Sequence, residues 1–241
     1  MTLARLLTAV VLFNGCAIVV TQDARNANDA CAQFIAIGDL PSADAACDLA
    51  LQYQPRYWDA LHNKGLVAKF RGELKTAKQF FIEAVRANPD MRQSYNALGA
   101  MAAEAGDTKT AIEFYESALR TDPRYLEARR NVGSIHLRRK DFAAAEKSFR
   151  QLILVQHDVV EGWLGLAASF SGQGKLDEAA QALEKATMLN VSDPLPWWMR
   201  GENALDRGEL EEAHEFFERC LLADAKDLRC QRRLAELDRS R

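Results

Sequence analysis

Apolar residues recur along this chain at two periods. Within short blocks they return every three or four residues, as at Leu98 and Ala102 and again at Ala111, Tyr115 and Ala118, the spacing that lines one face of an α-helix. Across the chain the pattern repeats at a step of 34 residues, with no insertion or deletion. Units begin at Ala24, Trp58, Arg92, Leu126, Val160 and Pro194, and a partial one at Leu228. The twentieth place is alanine every time: Ala43, Ala77, Ala111, Ala145, Ala179, Ala213. The eighth is always small: Cys31, Gly65, Gly99, Gly133, Ala167, Gly201. The fifteenth is Gly38, Gly72, Gly106, Lys140, Gly174, Gly208. The twenty-fourth is Cys47, Phe81, Tyr115, Phe149, Leu183, Phe217. The thirty-second is Pro55, Pro89 and Pro123, then departs to His157, Val191 and Ala225.

These choices predict two antiparallel helices per unit. Small residues at the eighth and twentieth places let the helices approach closely, and the large twenty-fourth residue fills the space between them. A glycine near the fifteenth place accepts the turn joining them. Proline at the thirty-second stops the second helix before the next unit.

The period, the small places and the proline together resemble the tetratricopeptide repeat family. The resemblance covers the chain from Ala24 onward and implies an all-α superhelical solenoid with a concave face. Six units occupy 24–227 and a capping helix 228–241, where Leu234 and Ala235 stay in phase on an otherwise charged segment. At the fourth place Trp163 and Trp197 match the family, while Ala27 and Arg129 depart from it.

The start of the chain reads differently. Leu6–Val20 is an apolar run preceded by Arg5, and Leu6–Phe13 is too short to span a bilayer. A short basic start, a short apolar stretch and small residues describe an export signal, residues 1–15. Phe13-Asn14-Gly15-Cys16 resembles a bacterial lipobox, which implies that Cys16 becomes the lipidated first residue and 16–23 a tether of about 25 Å at full extension. Cleavage after Ala17 and a short uncleaved anchor are the competing readings. Cysteine arithmetic bears on the choice. Lipidating Cys16 leaves four of the five cysteines, which an oxidising compartment could pair. Cys220 and Cys230 flank the turn into the cap, and Cys31 and Cys47 lie on the facing sides of one unit. Disulfides and buried free thiols both fit these positions.

Composition narrows the function. The formal charge of −3 offers no broad basic face, so nucleic acid is not an expected partner. His62, His136, His157 and His214 fall in different units without metal-ligand spacing, and His136 is expected as a satisfied core histidine. "SGQGK" at 171–175 lacks the spacing, the preceding strand and the hydroxyl residue of a phosphate loop, because Leu176 follows. No nucleophile stands with a base, so no enzyme, cofactor or metal is expected.

The resemblance places the first helix of each unit on the concave face. Leu66, Phe70, Asn96, Arg130, Leu137, Leu164, Trp198 and Leu205 are then candidate partner-binding residues. Leu164 and Trp198 share the fifth place of neighbouring units. Together they form a candidate anchor for a partner peptide, or else Trp198 folds over the cap and completes the core. The residues of a two-carboxylate clamp are missing, since His62, Leu66 and Glu127 stand in those places.

An exported array of this size resembles the small tetratricopeptide lipoproteins of the tight-adherence (Flp) pilus and the pilotins of type IV pili. That implies a lipid-anchored scaffold on the periplasmic face of the outer membrane. It would help a secretin or another pilus component to assemble or reach its place. Ala17 after the cysteine agrees with outer-membrane sorting. Two alternatives remain open: an envelope adaptor that recruits cell-wall hydrolases or proteases, and a regulatory subunit of an envelope enzyme complex.

Overall fold

The computed structural model describes residues 20–240; residues 1–19, which include Cys16 and the expected export signal, and Arg241 lie outside them. The described residues form thirteen α-helices and no strand. Six helix pairs follow one another: α1 (Gln22–Ile37) with α2 (Leu40–Tyr53), α3 (Trp58–Phe70) with α4 (Leu74–Ala87), and α5 (Arg92–Glu104) with α6 (Thr108–Thr121). Then come α7 (Leu126–Arg138) with α8 (Phe142–Val155), α9 (Val160–Gly172) with α10 (Leu176–Leu189), and α11 (Pro194–Arg207) with α12 (Leu210–Ala223). The last helix, α13 (Leu228–Ser240), has no partner helix of its own and packs on α12 and, through Arg229 and Arg233, on α11.

The contact inside four of the six pairs has one form, and the fifth sets Ala167 and Leu183 in the same places. A Cβ added to Gly65 would meet the Phe81 ring at 2.6 Å, one on Gly99 the Tyr115 ring at 2.7 Å, and one on Gly201 the Phe217 ring at 2.3 Å. Gly133 faces Phe149 in the same way. The ring of the second helix therefore lies flat against the backbone of the first, which only a residue without a side chain permits. All six alanines of the twentieth place are fully buried beside this contact. In the first unit both places hold cysteine. There Cys31 and Cys47 are joined by a disulfide, with Cα atoms 5.2 Å apart, so a covalent bond occupies the position of the ring contact. A second disulfide joins Cys220 of α12 to Cys230 of α13, with Cα atoms 6.3 Å apart.

The turns are equally regular. The five glycines of the fifteenth place have a left-handed backbone, from φ 74° at Gly174 to 82° at Gly106. Lys140 takes the same conformation, φ 59°, and is the one described non-glycine residue to do so. The turns start the second helices with side-chain caps at Asp39, Asp107 and Asp141, whose carboxylates accept the backbone N–H of Ser42, Thr110 and Ala144.

Between units, the fourth place serves the backbone. The Trp163 indole N–H donates to the His157 carbonyl at 2.7 Å, and that of Trp197 to the Val191 carbonyl at 2.9 Å. Those carbonyls belong to the thirty-second place of the preceding unit. Arg129 donates to the equivalent carbonyl of Pro123 and to Gln151 at 2.6 Å. Its departure from the apolar pattern at the fourth place thus keeps the same hydrogen bond with a different donor. Ion pairs add further ties, such as Lys64 to Asp44 and Asp48, both at 2.5 Å, and Arg71 to Asp44 at 2.8 Å.

Two substitutions test this packing. Ala111→Leu adds volume where no space exists and is expected to cost about 1–3 kcal/mol, read as a lower melting midpoint. Lys140→Gly removes a left-handed lysine and is expected to raise the midpoint, by about 0.5–1 kcal/mol after the added entropy of an unfolded glycine is offset. An unchanged or lower midpoint would mean that the turn carries no strain.

Candidate partner-binding groove

The first helices of neighbouring units touch one another, α1 with α3, α5 with α7 and α7 with α9, while each second helix packs mainly on its own first helix and the next. The first helices therefore line the inner face of the curved array. Hydrogen bonds tie this face together at an offset of one unit plus one residue. Asn63 donates to Asn28 at 2.9 Å and Asn131 to Asn96 at 3.0 Å. Between them, His62 Nδ1 lies 2.9 Å from the Ser94 hydroxyl.

The candidate residues divide into three settings. Leu66 is half-buried against Ala77, Phe81 and Leu98, and Leu137 and Leu164 pack together on the cluster around Phe149, Leu166 and Leu183. Trp198 and Leu205 join the C-terminal cluster around Trp197 and Phe217. Leu164 and Trp198 thus belong to different clusters. The Arg229 guanidinium lies 5.0 Å above the Trp198 ring, and α13 contributes Arg232, Arg233 and Glu236 beside it. Trp198 is covered on one side by the cap. The more open candidates are Phe70, which is 63% exposed at the end of α3, and Arg130, 4.0 Å from Glu161. Asn96 is held by Asn131.

A depression between α5 and α7 was not foreseen as a unit. Ala100, Ala103 and Glu104 of α5, the buried Tyr115 of α6, and Asn131, Ser134 and Arg138 of α7 line it. The two alanines leave room beside a main chain, and the polar residues offer amide, hydroxyl, carboxylate and guanidinium groups for its hydrogen bonds. The sequence signal was present in the asparagines that recur 35 residues apart, at the fifth place of one unit and the sixth of the next.

Electrostatics at the N-terminal end favour neutral groups. Burial pushes the His62 imidazole down to about 4, beside the Phe81 ring at 5.3 Å. Burial also raises the Asp59 carboxyl, opposed by its hydrogen bond with Tyr57 and supported by nearby Asp29. Tyr57 is pushed up to about 12, again mainly by burial. His136 is half-buried rather than a core residue. Its Nδ1 lies 3.5 Å from Asp141 but makes no hydrogen bond. Among the described residues the one cluster with metal-binding side chains is Cys220, Asp227 and Cys230. Its two sulfurs are bonded to each other, and Asp227 holds Arg229 at 2.6 Å. The residues do not fit a metal.

Models of the tetratricopeptide repeat match residues 102–169, 62–125 and 164–227. The chain belongs to the tetratricopeptide repeat proteins. Comparison with characterised protein sequences gives no significant match. Among solved structures, PilW, described as a widely conserved type IV pilus biogenesis factor, is 18% identical, with a TM-score of 0.76 over 88% of this chain and 98% of that one. PilF of Pseudomonas aeruginosa is also 18% identical, with a TM-score of 0.74 over 88% and 99%. A chain of the APC/C Cut9–Hcn1 complex is 15% identical, with a TM-score of 0.70; 89% of this chain is covered but only 43% of that one. At these identities the likeness is one of fold.

The buried histidine makes a prediction about pH. Its folded pKa lies below the unfolded value of about 6.5, so the unfolded chain binds the proton first. Stability from this group is complete above the unfolded value and falls as pH drops from about 6.5 towards 4, by at most about 3 kcal/mol. In a His62→Gln variant, melting midpoints measured across that range should fall less steeply with acid than in the wild type. Equal slopes would mean that His62 does not titrate in this way.

Proposed function

We propose that this protein is a non-catalytic, protein-binding scaffold of the bacterial envelope that helps a pilus or secretion component, such as a secretin, to assemble or reach its place. The observation that carries the reading is the inner face between α5 and α7. Small Ala100 and Ala103 stand there beside Tyr115 and the polar groups of Glu104, Asn131, Ser134 and Arg138, which suits an extended segment of a protein partner and offers no arrangement of nucleophile and base. The architecture supports the choice of system. The chain matches PilW and PilF over nearly their whole lengths with six helix pairs of its own. The Gly15-Cys16-Ala17 sequence supports a lipid anchor at the outer membrane. None of the thirteen described helices is long and apolar enough to cross a membrane.

Capture from envelope extracts tests the partner. Ala100→Arg would fill the depression from a half-exposed position without entering the core. A pilus or secretin protein should be retained by the wild type and lost by Ala100→Arg, with the melting midpoint kept. Retention of a cell-wall hydrolase instead, or equal capture by both proteins, would remove this reading of the groove. For the anchor, Cys16→Ser should leave an unprocessed precursor outside the outer-membrane fraction; normal maturation and membrane retention would exclude lipidation there.

A further inference from the structure

The outward faces of the second helices are not equivalent along the array. At the twenty-ninth place the first three units carry Gln52, Arg86 and Arg120, and the last three carry Leu154, Met188 and Leu222. The three apolar residues are 86%, 66% and 86% exposed. They sit in the last turns of α8, α10 and α12, one per unit, and so recur at the same place on the second helices of three successive units. Val191 and Leu228 extend the apolar edge at 68% and 73% exposure. The same three units lose the proline of the thirty-second place. Single exposed leucines are ordinary, but an aligned row confined to half of a repeat array marks a contact surface.

The charges beside the stripe indicate what covers it. Residues four and seven positions apart share a helix face, so the twenty-fifth and twenty-second places lie on the face of the twenty-ninth. On α8 these are Lys147 and Arg150, both basic; on α12 they are Glu215 and Glu218, both acidic; on the central α10 they are Gln181 and Glu184. All six are exposed. A twofold axis running along α10 would place unit four of one copy against unit six of another. It would set Leu154 against Leu222, Met188 against its own counterpart, and Lys147 and Arg150 against Glu215 and Glu218. This surface complements itself under the commonest symmetry of protein oligomers.

The existing partners of these charges do not oppose that arrangement. Arg150 bonds Glu146 at 2.8 Å and lies 5.3 Å over the Phe170 ring, Arg219 bonds Glu215 at 2.7 Å, and His214 lies 3.7 Å from Glu218. Each pair spans one helical turn, and its member beside the stripe, Arg150, Glu215 or Glu218, is exposed, so the charge stays within reach of a partner. We infer that this outer face binds a second copy of the chain, forming a twofold dimer centred on α10 that leaves the inner groove of each copy open.

Sedimentation equilibrium of the full-length chain over a wide concentration range tests the dimer. The wild type should approach twice the chain mass, and Met188→Asp should stay monomeric with an unchanged circular-dichroism melting curve; Leu222→Asp provides a second disruption at an 86% exposed position. Arg150→Glu and Glu218→Arg should each weaken association, roughly tenfold, because each sets like charges together twice per dimer. An equimolar mixture of these two variants should regain wild-type association, since the mixed dimer restores both opposite-charge contacts. The dimer is excluded if the wild type remains monomeric throughout. It is also excluded if both aspartate variants associate like the wild type, or if the mixture is no tighter than its components.

Discussion

The structure depends on the contact of a flat side chain with bare backbone. Where Tyr115 lies on Gly99, or Phe217 on Gly201, the two helices of a unit come closer than any side chain at the glycine would allow. The ring then loses its water on one whole face, and the buried alanines at the twentieth place close the space beside it. Each unit buries little by itself. The contact between successive units supplies the rest, so the array is stable only as a stack. The ends of such a stack have a single neighbour, and both ends of this one carry a disulfide: Cys31–Cys47 in the first unit and Cys220–Cys230 at the cap. The first replaces the ring contact itself. Bonds closing loops of this size contribute up to about 3 kcal/mol each in the chain-entropy account, where fraying would otherwise begin.

With the helix pairs fixed in this way, the two faces of the solenoid are free to differ. Inward, the Asn28–Asn63 and Asn96–Asn131 pairs use polar groups to hold neighbouring units in register and leave a depression lined by α5, α7 and Tyr115. Outward, residues beyond the contact positions are unconstrained by the fold. That is why a change from Arg120 to Leu154 at one place carries information about what the surface meets.

The fold was legible in the sequence because its main constraint is steric and recurs at fixed intervals. A glycine under a ring and an alanine between helices tolerate few substitutes, so both stand out when the units are aligned. Lys140 broke the pattern at the fifteenth place yet adopts the same left-handed turn as the five glycines. Arg129 broke it at the fourth place yet donates to the same carbonyl that tryptophan reaches elsewhere. In both cases the backbone geometry is kept and the residue type is not, which no single-residue pattern can express. The groove was less legible. The register placed Leu137, Leu164, Trp198 and Leu205 on the first helices, but their burial depends on how far neighbouring units and the cap cover them. The cap places Arg229 over Trp198, the arrangement that the sequence left open beside the anchor reading, and the aligned units alone did not decide between the two.

A double-mutant cycle at Gly99 and Tyr115 tests the central contact most directly. Alanine at Gly99 is favoured by helix propensity by about 1 kcal/mol but would put its Cβ 2.7 Å from the Tyr115 ring. Chemical denaturation of the wild type, Gly99→Ala, Tyr115→Ala and the double variant should show Gly99→Ala as destabilising when tyrosine is present. With Tyr115 replaced by alanine, the same change should be neutral or stabilising. A Gly99→Ala effect of the same sign and size in both backgrounds would contradict the claim that the ring on the backbone sets the spacing of the helices.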